Sequence, residues 1–254
     1  MISIILPVFN NLFFTQKIIG LIQQTTKIDY EIVIVDNGST EPGMQEYFDW
    51  LEKLDDSNED FYNKIHREIR IIRNGENLGV AKAWNIGIKD SRGEIIAILN
   101  NDILIGNDCL ERMLAVMEAH PEIWCLSPAF TRLTMPDNWH ELELKQRFIP
   151  EQIVSGGKGF FFMFRRETMP KLEKPKEGFF IDEQFGMLWY EDTDLWERLK
   201  KAGHPAMSVN NILIHHYESK TLNTIPDAGF YKARNRERFN NKYNICPKES
   251  SQIQ

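Results

Sequence analysis

The sequence predicts an α/β protein with a Rossmann-like, mostly parallel central sheet flanked by helices. Two observations lead to this fold class. Short, almost wholly apolar runs alternate with segments of helical periodicity, and polar, turn-forming residues end the apolar runs. Because sheets of this kind bind ligands beyond the carboxyl ends of their strands, those polar residues lie where a ligand is expected.

The first half of the chain alternates strictly. Its apolar runs predict strands at residues 3–9, 31–35, 69–72 and 94–99. Helical periodicity predicts helices between and after them at residues 13–24, 44–54, 80–89 and 109–119. The acidic stretch at residues 55–60 interrupts this order and is interpreted as a solvated surface loop.

The second half is less regular. Residues 131–150 are interpreted as an irregular connection of the kind that often frames a substrate, and residues 155–164 as a glycine-rich turn leading into a buried strand. A helix is predicted at residues 192–202, because a glycine and then a proline follow it. A last apolar strand is predicted at residues 209–214, and it ends on two histidines.

Composition narrows the classes of protein that fit. The formal net charge of −7 argues against a general nucleic-acid binder, which would show a broad basic surface. Three scattered cysteines, Cys109, Cys125 and Cys246, argue against a disulfide framework and a thiolate zinc site and favour a reducing compartment. The sequence shows neither an apolar run of membrane-spanning length nor an export signal, so a cytoplasmic location is expected.

The first candidate for chemistry is Asn100-Asn101-Asp102, directly after a predicted strand. Asp102 can supply a hard oxygen ligand to Mg²⁺ or Mn²⁺, and such an ion can hold a diphosphate whose own oxygens complete the coordination. The alternative interpretation is an ordinary turn, with Asp108 capping the next helix.

The second candidate is the acidic pair Glu191-Asp192, which has Trp189 beside it and lies at the start of a predicted helix. A carboxylate at a helix N-terminus is expected to stay ionised and can act as a general base, and tryptophan suits the apolar face of a sugar. The alternatives are that Asp192 only caps the helix and that Asp194 pairs with Arg198 one turn later.

Two further positions are more ambiguous. His215 and His216 follow an apolar strand, and because neighbouring strand residues point to opposite faces, only one of them is expected to reach a metal. Asp36 follows the second strand; it fits either a turn closed by its own side chain or a hydrogen bond to a nucleobase or ribose.

In this order and spacing, the motifs resemble the family 2 glycosyltransferases, which have the GT-A fold. The resemblance is carried by residues 4–10 (IILPVFN), 33–40 (VIVDNGST), 77–79 (NLG), 84–88 (WNIGI), 93–102 (GEIIAILNND), 155–166 and 191–195 (EDTDL). It extends from residue 2 to about residue 221. It implies one GT-A domain at residues 1–221, with a nucleotide-sugar-binding half at 1–105 and an acceptor-binding, catalytic half at 106–221, followed by a basic helical tail at 222–254.

The resemblance also implies an inverting transfer of sugar from a UDP-, dTDP- or GDP-linked donor to a glycan, lipid-linked or polymer acceptor, with Mn²⁺ or Mg²⁺. The donor would contact Pro7, Phe9, Asn10, Asp36, Asn77, Gly79, Asn100 and Asn101. The acceptor would contact Gly156, Gly157 and Trp189. Asp102 and His216 would bind the metal, and Asp192 would be the base, supported by Glu191. One departure is Asn100, where the family usually has aspartate.

The tail carries Lys232, Arg234, Arg236, Arg238 and Lys242 against the single acid Glu237. Such runs are most often solvated faces or contacts between the subunits of a homo-oligomer. A more specific hypothesis is that the tail holds an anionic acceptor or contacts the inner membrane surface. A non-catalytic protein that binds nucleotide sugars or carbohydrates remains the alternative function.

Overall fold

The computed structural model describes residues 1–55, 67–133, 138–217 and 227–245. Residues 56–60 of the acidic loop and Cys246 lie outside these ranges.

The strands are β1 Ile2–Val8, β2 Tyr30–Asp36, β3 Arg67–Arg73, β4 Ile95–Leu99, β5 Ile103–Ile105, β6 Cys125–Phe130, β7 Ile153–Ser155, β8 Phe161–Arg165 and β9 Met207–His216. The α-helices are α1 Leu12–Thr25, α2 Met44–Asp55, α3 Val80–Asp90, α4 Cys109–Ala119, α5 Trp139–Gln146, α6 Glu191–Lys201 and α7 Ala228–Tyr243. Two short 3₁₀ helices lie at Arg166–Lys171 and Glu183–Phe185.

All nine strands join one sheet in the order β3-β2-β1-β4-β8-β6-β9-β5, with β7 paired to β9. The strands β3, β2, β1 and β4 are parallel, whereas β8 runs antiparallel to both β4 and β6. The prediction of an α/β fold with a mostly parallel central sheet is therefore confirmed. The carboxyl ends of β1, β2 and β4 meet at one edge, which is where such sheets bind ligands.

The two faces of the sheet carry separate cores because successive side chains of a strand point to opposite faces. In β1, Ile4 and Leu6 pack with residues of α1, α2 and α4, whereas Ile5 packs with residues of α3 and α6. The approach of α3 is so close that a Cβ on Gly87 would clash with Ile5. Burial on both faces explains why β1, β2 and β4 are almost uniformly apolar.

The interpretation of residues 131–150 as an irregular connection is wrong for Trp139–Gln146, which form α5; residues 134–137 lie outside the described residues. The Asn138 side chain caps this helix by accepting a hydrogen bond from the Glu141 amide, and Leu142 is its fully buried apolar residue. The helix is held by a long-range contact in which the Leu213 amide donates to Gln146 Oε1. A short, mostly polar helix of this kind has no apolar periodicity, so tertiary contacts decide it.

Among the described residues, no helix combines the length and the apolar character needed to cross a bilayer.

Candidate active site

A cleft of about 320 Å³ opens at the carboxyl ends of β1, β2 and β4. Its walls come from the turns after these strands, the start of α3, the segment before β8, the segment before α6, and the end of β9. Ten of the residues selected from the sequence line it: Pro7, Phe9, Asn77, Asn100, Asn101, Asp102, Trp189, Glu191, Asp192 and His216. The fold thus gathers residues more than 200 positions apart onto one surface.

Asp102 and His216 meet at the floor of this cleft. The Asp102 Oδ1 atom lies 3.0 Å from His216 Nε2. This proximity follows from the pairing of β5 with β9, which sets His216 opposite Ile103, and from the Tyr217 amide, which donates to the Asp102 carbonyl. His215 points away: its Nδ1 lies 3.1 Å from the Thr131 carbonyl oxygen. As expected from strand geometry, only one of the two histidines reaches the cleft.

The Asp102–His216 pair fits a divalent cation. Two neighbouring ligands of an octahedral ion, each ~2.1 Å from it, lie about 3 Å apart, and the two atoms here are 3.0 Å apart. Among the described residues, no group of three or more His, Cys, Asp or Glu side chains could hold a metal. Of these residue types, the described part of the chain offers Asp102 and His216 at this point, and a diphosphate or water could fill the remaining positions around a bound cation. The alternative interpretation was an ordinary turn with Asp108 capping α4. Residues 101–102 do form a turn, but the Asp108 side chain makes no capping hydrogen bond.

Glu191 and Asp192 are the first two residues of α6 and line the same cleft as Asp102 and His216. The Asp192 Oδ1 atom accepts hydrogen bonds from the Thr193 amide and hydroxyl at 2.6 and 3.1 Å. The Asp192 Oδ2 atom lies against Gly159, where any Cβ would overlap it. Within the part of the chain that the structure describes, Glu191 Oε2 is buried with no hydrogen-bond partner. An unsatisfied buried carboxylate oxygen facing a cleft is ready to accept a ligand hydroxyl.

Burial sets the protonation of this pair. It raises the pKa of Glu191 to about 8, with the negative charge of Asp192 adding to the effect, and it also raises the pKa of Asp192. For Glu191, burial therefore opposes the expectation that the helix N-terminus keeps the carboxylate ionised. A helix terminus contributes ~0.3–1 kcal/mol, which is less than one pKa unit, whereas burial can shift a pKa by about 3–5 units. The pair is suited to holding and accepting a proton.

Asp194, two residues later, has a purely structural environment. Its carboxylate accepts a hydrogen bond from Arg198 Nε at 2.8 Å, and both side chains are essentially fully buried. Lys242 and the Tyr243 hydroxyl also bond to it. The predicted pairing of Asp194 with Arg198 is confirmed.

The turns after β1 and β2 are tied to each other. The Asn10 Oδ1 atom accepts from the Thr40 and Glu41 amides, and Asp36 accepts from the Ser39 amide at 2.9 Å and from Gln45 Nε2 at 2.7 Å. Neither Asn10 nor Asp36 lines the cleft, and the Asp36 carboxylate is occupied by the turn that the sequence offered as the alternative. In the structure, both residues hold the turns after β1 and β2 in place.

Sequence reasoning missed Asn37, which does line the cleft. Its Nδ2 donates to Asn77 Oδ1 at 2.9 Å, and its Oδ1 accepts from Asn74 Nδ2 and the Leu78 amide. Asn37 thereby joins the turn after β2 to the start of α3. The available signal was its place beside Asp36 in the VIVDNGST motif.

Three other predicted donor contacts are partly structural. Asn101 donates its Nδ2 to Thr15 Oγ1 at 3.0 Å, so its amide is directed toward α1. Gly79 has a φ of 85°, and a Cβ there would lie 2.6 Å from the Gly186 carbonyl oxygen. Gly79 therefore allows the start of α3 to touch the loop before α6. Asn100 lines the cleft, and its backbone N–H donates to the Phe160 carbonyl oxygen.

The predicted acceptor glycines lie elsewhere. Gly156 is held by backbone pairing with Ala206, and Gly157 packs beneath the Trp196 ring. Gly159 and Phe160 are the residues of this segment that line the cleft. A glycine-rich turn was predicted here, but which glycine faces the ligand depends on how the turn packs.

The described part of the basic tail forms α7, which packs against the segment before α6 while Lys232 and Arg236 stay exposed. Asn235 is fully buried, and its Nδ2 donates to the carbonyls of Phe185, Leu188 and Trp189. The distances to the Leu188 and Trp189 oxygens are 2.6 and 3.2 Å. Trp189 and Tyr190 have positive φ values of 63° and 75°. The amide of Asn235 thus holds the strained turn that leads into Glu191.

We expect Asn235→Ala to lower the stability of the protein by about 1–3 kcal/mol, because it leaves buried carbonyls without a donor. Any activity that depends on Glu191 and Asp192 should fall mainly in kcat, because this turn leads directly into them. Chemical denaturation and steady-state kinetics measure the two effects. The control is Glu237→Ala, an exposed residue of α7 that does not line the cleft. Equal losses for the two variants would contradict this role of Asn235.

Comparison with known proteins agrees with this fold. The nine-stranded α/β arrangement is of the GT-A type: a Pyrobaculum calidifontis mannosyltransferase in complex with GDP-Man and Mn²⁺ superposes with a TM-score of 0.63 at 17% identity, covering 97% of this chain and 65% of that one. S. aureus TarS in complex with UDP-GlcNAc gives a TM-score of 0.52 at 15% identity, covering 85% and 56%.

The family described as glycosyl transferase family 2 matches residues 3–187, and the chain belongs to that family. An uncharacterized glycosyltransferase of Haemophilus influenzae is 29% identical over 118 residues, which cover 46% of this chain and 42% of that protein. The chain spans half or less of the length of the first curated relatives that it matches.

Proposed function

We propose that this chain is an inverting, metal-dependent glycosyltransferase that moves a sugar from a nucleotide-sugar donor to an acceptor hydroxyl. One observation carries the proposal: the Asp102–His216 pair and the Glu191–Asp192 pair open onto the same cleft of a family 2 chain. The first pair can hold a cation and its diphosphate, and the second can take a proton. Residues 1–221 would form the transferase domain, and the basic tail at 222–254 would contribute α7 to its acceptor side.

The donor would lie along the carboxyl ends of β1, β2 and β4. Pro7, Phe9, Asn37 and Asn77 offer apolar surface and amide groups on the nucleotide side of the cleft. The two structural neighbours, one bound to GDP-Man and the other to UDP-GlcNAc, support a nucleoside diphosphate sugar as the donor class. UDP-, dTDP- and GDP-linked sugars are all candidates.

Asp102 and His216 would hold the metal. An imidazole nitrogen beside a carboxylate favours Mn²⁺ over Mg²⁺, which prefers oxygen ligands and retains its water. When bound, the cation supplies positive charge that stabilises the departing diphosphate. Asn100, in place of the usual aspartate, removes one negative charge from this region and is expected to weaken metal affinity before the donor binds.

Asp192 would act as the general base. It takes the proton of the acceptor hydroxyl while that oxygen forms a bond to the anomeric carbon from the face opposite the leaving group. The bond between the anomeric carbon and the diphosphate oxygen breaks, so the nucleoside diphosphate leaves and the configuration inverts. The raised pKa of Asp192 favours this role, because a base works best with a pKa near the working pH. Glu191 and Trp189 would bind the acceptor sugar through its hydroxyl and its apolar face.

A thermal-shift screen of UDP, GDP, dTDP and CDP, with and without Mn²⁺, tests the proposal. We expect one nucleotide to stabilise the protein only with metal. At 100 times its Kd it should contribute about 2.7 kcal/mol, or a Tm rise of roughly 5–10 °C for a chain of this size. The matching sugar nucleotide should then be hydrolysed slowly. Binding without any turnover would support the non-catalytic alternative, and the absence of nucleotide binding would overturn the proposal.

A further inference from the structure

A second groove, of about 590 Å³, lies between α7 and the segment before α6. One face of α7 presents Arg234, Arg238 and Lys242 at intervals of four residues, each half-buried against this segment. Lys176 lines the same groove from the other side. Four cations therefore converge on one concave surface of a chain whose net charge is −7.

Lys242 is already neutralised by protein carboxylates. Its Nζ pairs with Asp182 at 2.7 Å and also with Asp194. By contrast, Arg234 and Arg238 have no carboxylate within ion-pair distance among the described residues. The Arg234 Nε atom donates to Asn235 Oδ1 at 3.3 Å, and Arg238 donates to the Gln184 carbonyl. Two guanidinium groups one helical turn apart, without a counter-charge, repel each other.

Burial, and then the positive charge of Arg238, lower the pKa of Arg234. Two glutamates also line the groove. Glu183 is engaged through its Oε1 with Asn85 Nδ2 at 2.8 Å, and Glu177 lies on the exposed rim. Neither glutamate forms an ion pair with the two arginines among the described residues. The arginine side of the groove therefore keeps an uncompensated positive charge.

This groove adjoins the acceptor side of the cleft. Gly186 lines the groove and the next residue, Met187, lines the cleft. The Arg234 guanidinium lies over Gly186, and Lys232 lies 5.3 Å from the centre of the Trp189 ring. Positive charge thus continues from the acceptor wall into the groove.

We propose that this groove binds a phosphate group carried by the acceptor, held by the guanidinium forks of Arg234 and Arg238. The inference rests on the proposed glycosyltransferase function and narrows its acceptor to anionic, phosphate-bearing molecules. Arginine is the side chain best suited to this task, because its planar fork binds phosphate oxygens in pairs and always stays charged. Arg236 takes no part: it is exposed and donates to the Tyr190 hydroxyl at 3.2 Å.

The test is calorimetric titration of the metal-free protein with inorganic pyrophosphate. We expect the double variant Arg234→Gln/Arg238→Gln to bind pyrophosphate about tenfold or more weakly than the wild type. The matched control Arg236→Gln should bind as the wild type does. The double variant Arg234→Lys/Arg238→Lys keeps both positive charges and should retain much of the pyrophosphate affinity. This result would show that the weaker binding of the double glutamine variant is caused by lost charge and not by misfolding. Wild-type binding should weaken steeply with salt.

Equal pyrophosphate affinity in the wild type, the double glutamine variant and the Arg236 control would overturn the inference. A second arm uses vesicles containing phosphatidylglycerol. If the protein co-sediments with these vesicles, loses this binding in the double glutamine variant and does not bind pyrophosphate, the inference is also overturned. The surface would then be a membrane contact. This readout needs no turnover, so it is separable from the proposed function. Pyrophosphate binding in this groove without sugar transfer would support the phosphate site and contradict the proposed transferase function.

Discussion

Asp192→Asn should lower kcat by about 10²–10⁴-fold, the range that a positioned general base contributes, and leave the donor KM nearly unchanged. The substitution keeps the shape of the side chain and its contact with Gly159, but it removes the group that takes the proton. The proposed donor position lies along the carboxyl ends of β1, β2 and β4, so donor binding should not depend on this carboxylate. Steady-state kinetics with saturating donor and varied acceptor provide the measurement.

The pH profile gives a second readout. Burial raises the pKa of Asp192, so the deprotonated base forms only above the ordinary range for aspartate. Wild-type kcat should therefore rise with pH along a limb displaced to higher pH, and this limb should disappear from the residual activity of Asp192→Asn. The control is Glu197→Gln, a more exposed carboxylate on the same helix. An unchanged kcat in Asp192→Asn would assign the base elsewhere, with Glu191 the next residue to test.

Asp102→Ala should abolish metal-dependent transfer, with a loss of about three orders of magnitude, because it removes one of the two protein ligands proposed for the cation. Charge stabilisation by a metal contributes several kcal/mol to such reactions, and each 1.36 kcal/mol is about tenfold in rate. The Mn²⁺-dependent part of nucleotide stabilisation should be lost in the same variant. Activity and thermal shift are both measured over a Mn²⁺ titration of metal-free protein.

Asp108→Ala is the matched control for this experiment. Asp108 lies six residues further along, exposed at the start of α4, where its contact is a 3.3 Å ion pair with Lys27. Such surface pairs contribute little, so the variant should retain its metal response. His216→Ala should weaken the Mn²⁺ response in the same direction as Asp102→Ala. A normal Mn²⁺ dependence in Asp102→Ala would refute the proposed metal site.

The central strands and the edge of the sheet that carries the cleft could be predicted from the sequence, because both follow from the pattern of apolar and polar residues along the chain. The apolar runs that become β1, β2 and β4 are buried on both faces, which makes them continuous and easy to find. The rule that ligands bind at the carboxyl ends of parallel strands then directs attention to Asp102 without any coordinates. The order of the motifs identified the family, and the family match confirms it.

The sequence by itself determined the fold class, the edge of the sheet that carries the cleft, and most of the residues that line it. Tertiary structure alone decided which residues line the cleft. The Asp36 carboxylate accepts hydrogen bonds within its own turn, whereas Asn37 lines the cleft, and Gly159 rather than Gly157 contacts Asp192. It also decided the raised pKa values of the acidic pair and the docking of α7. The physical reason is that burial and long-range hydrogen bonds depend on neighbours distant in sequence, and no local periodicity records them.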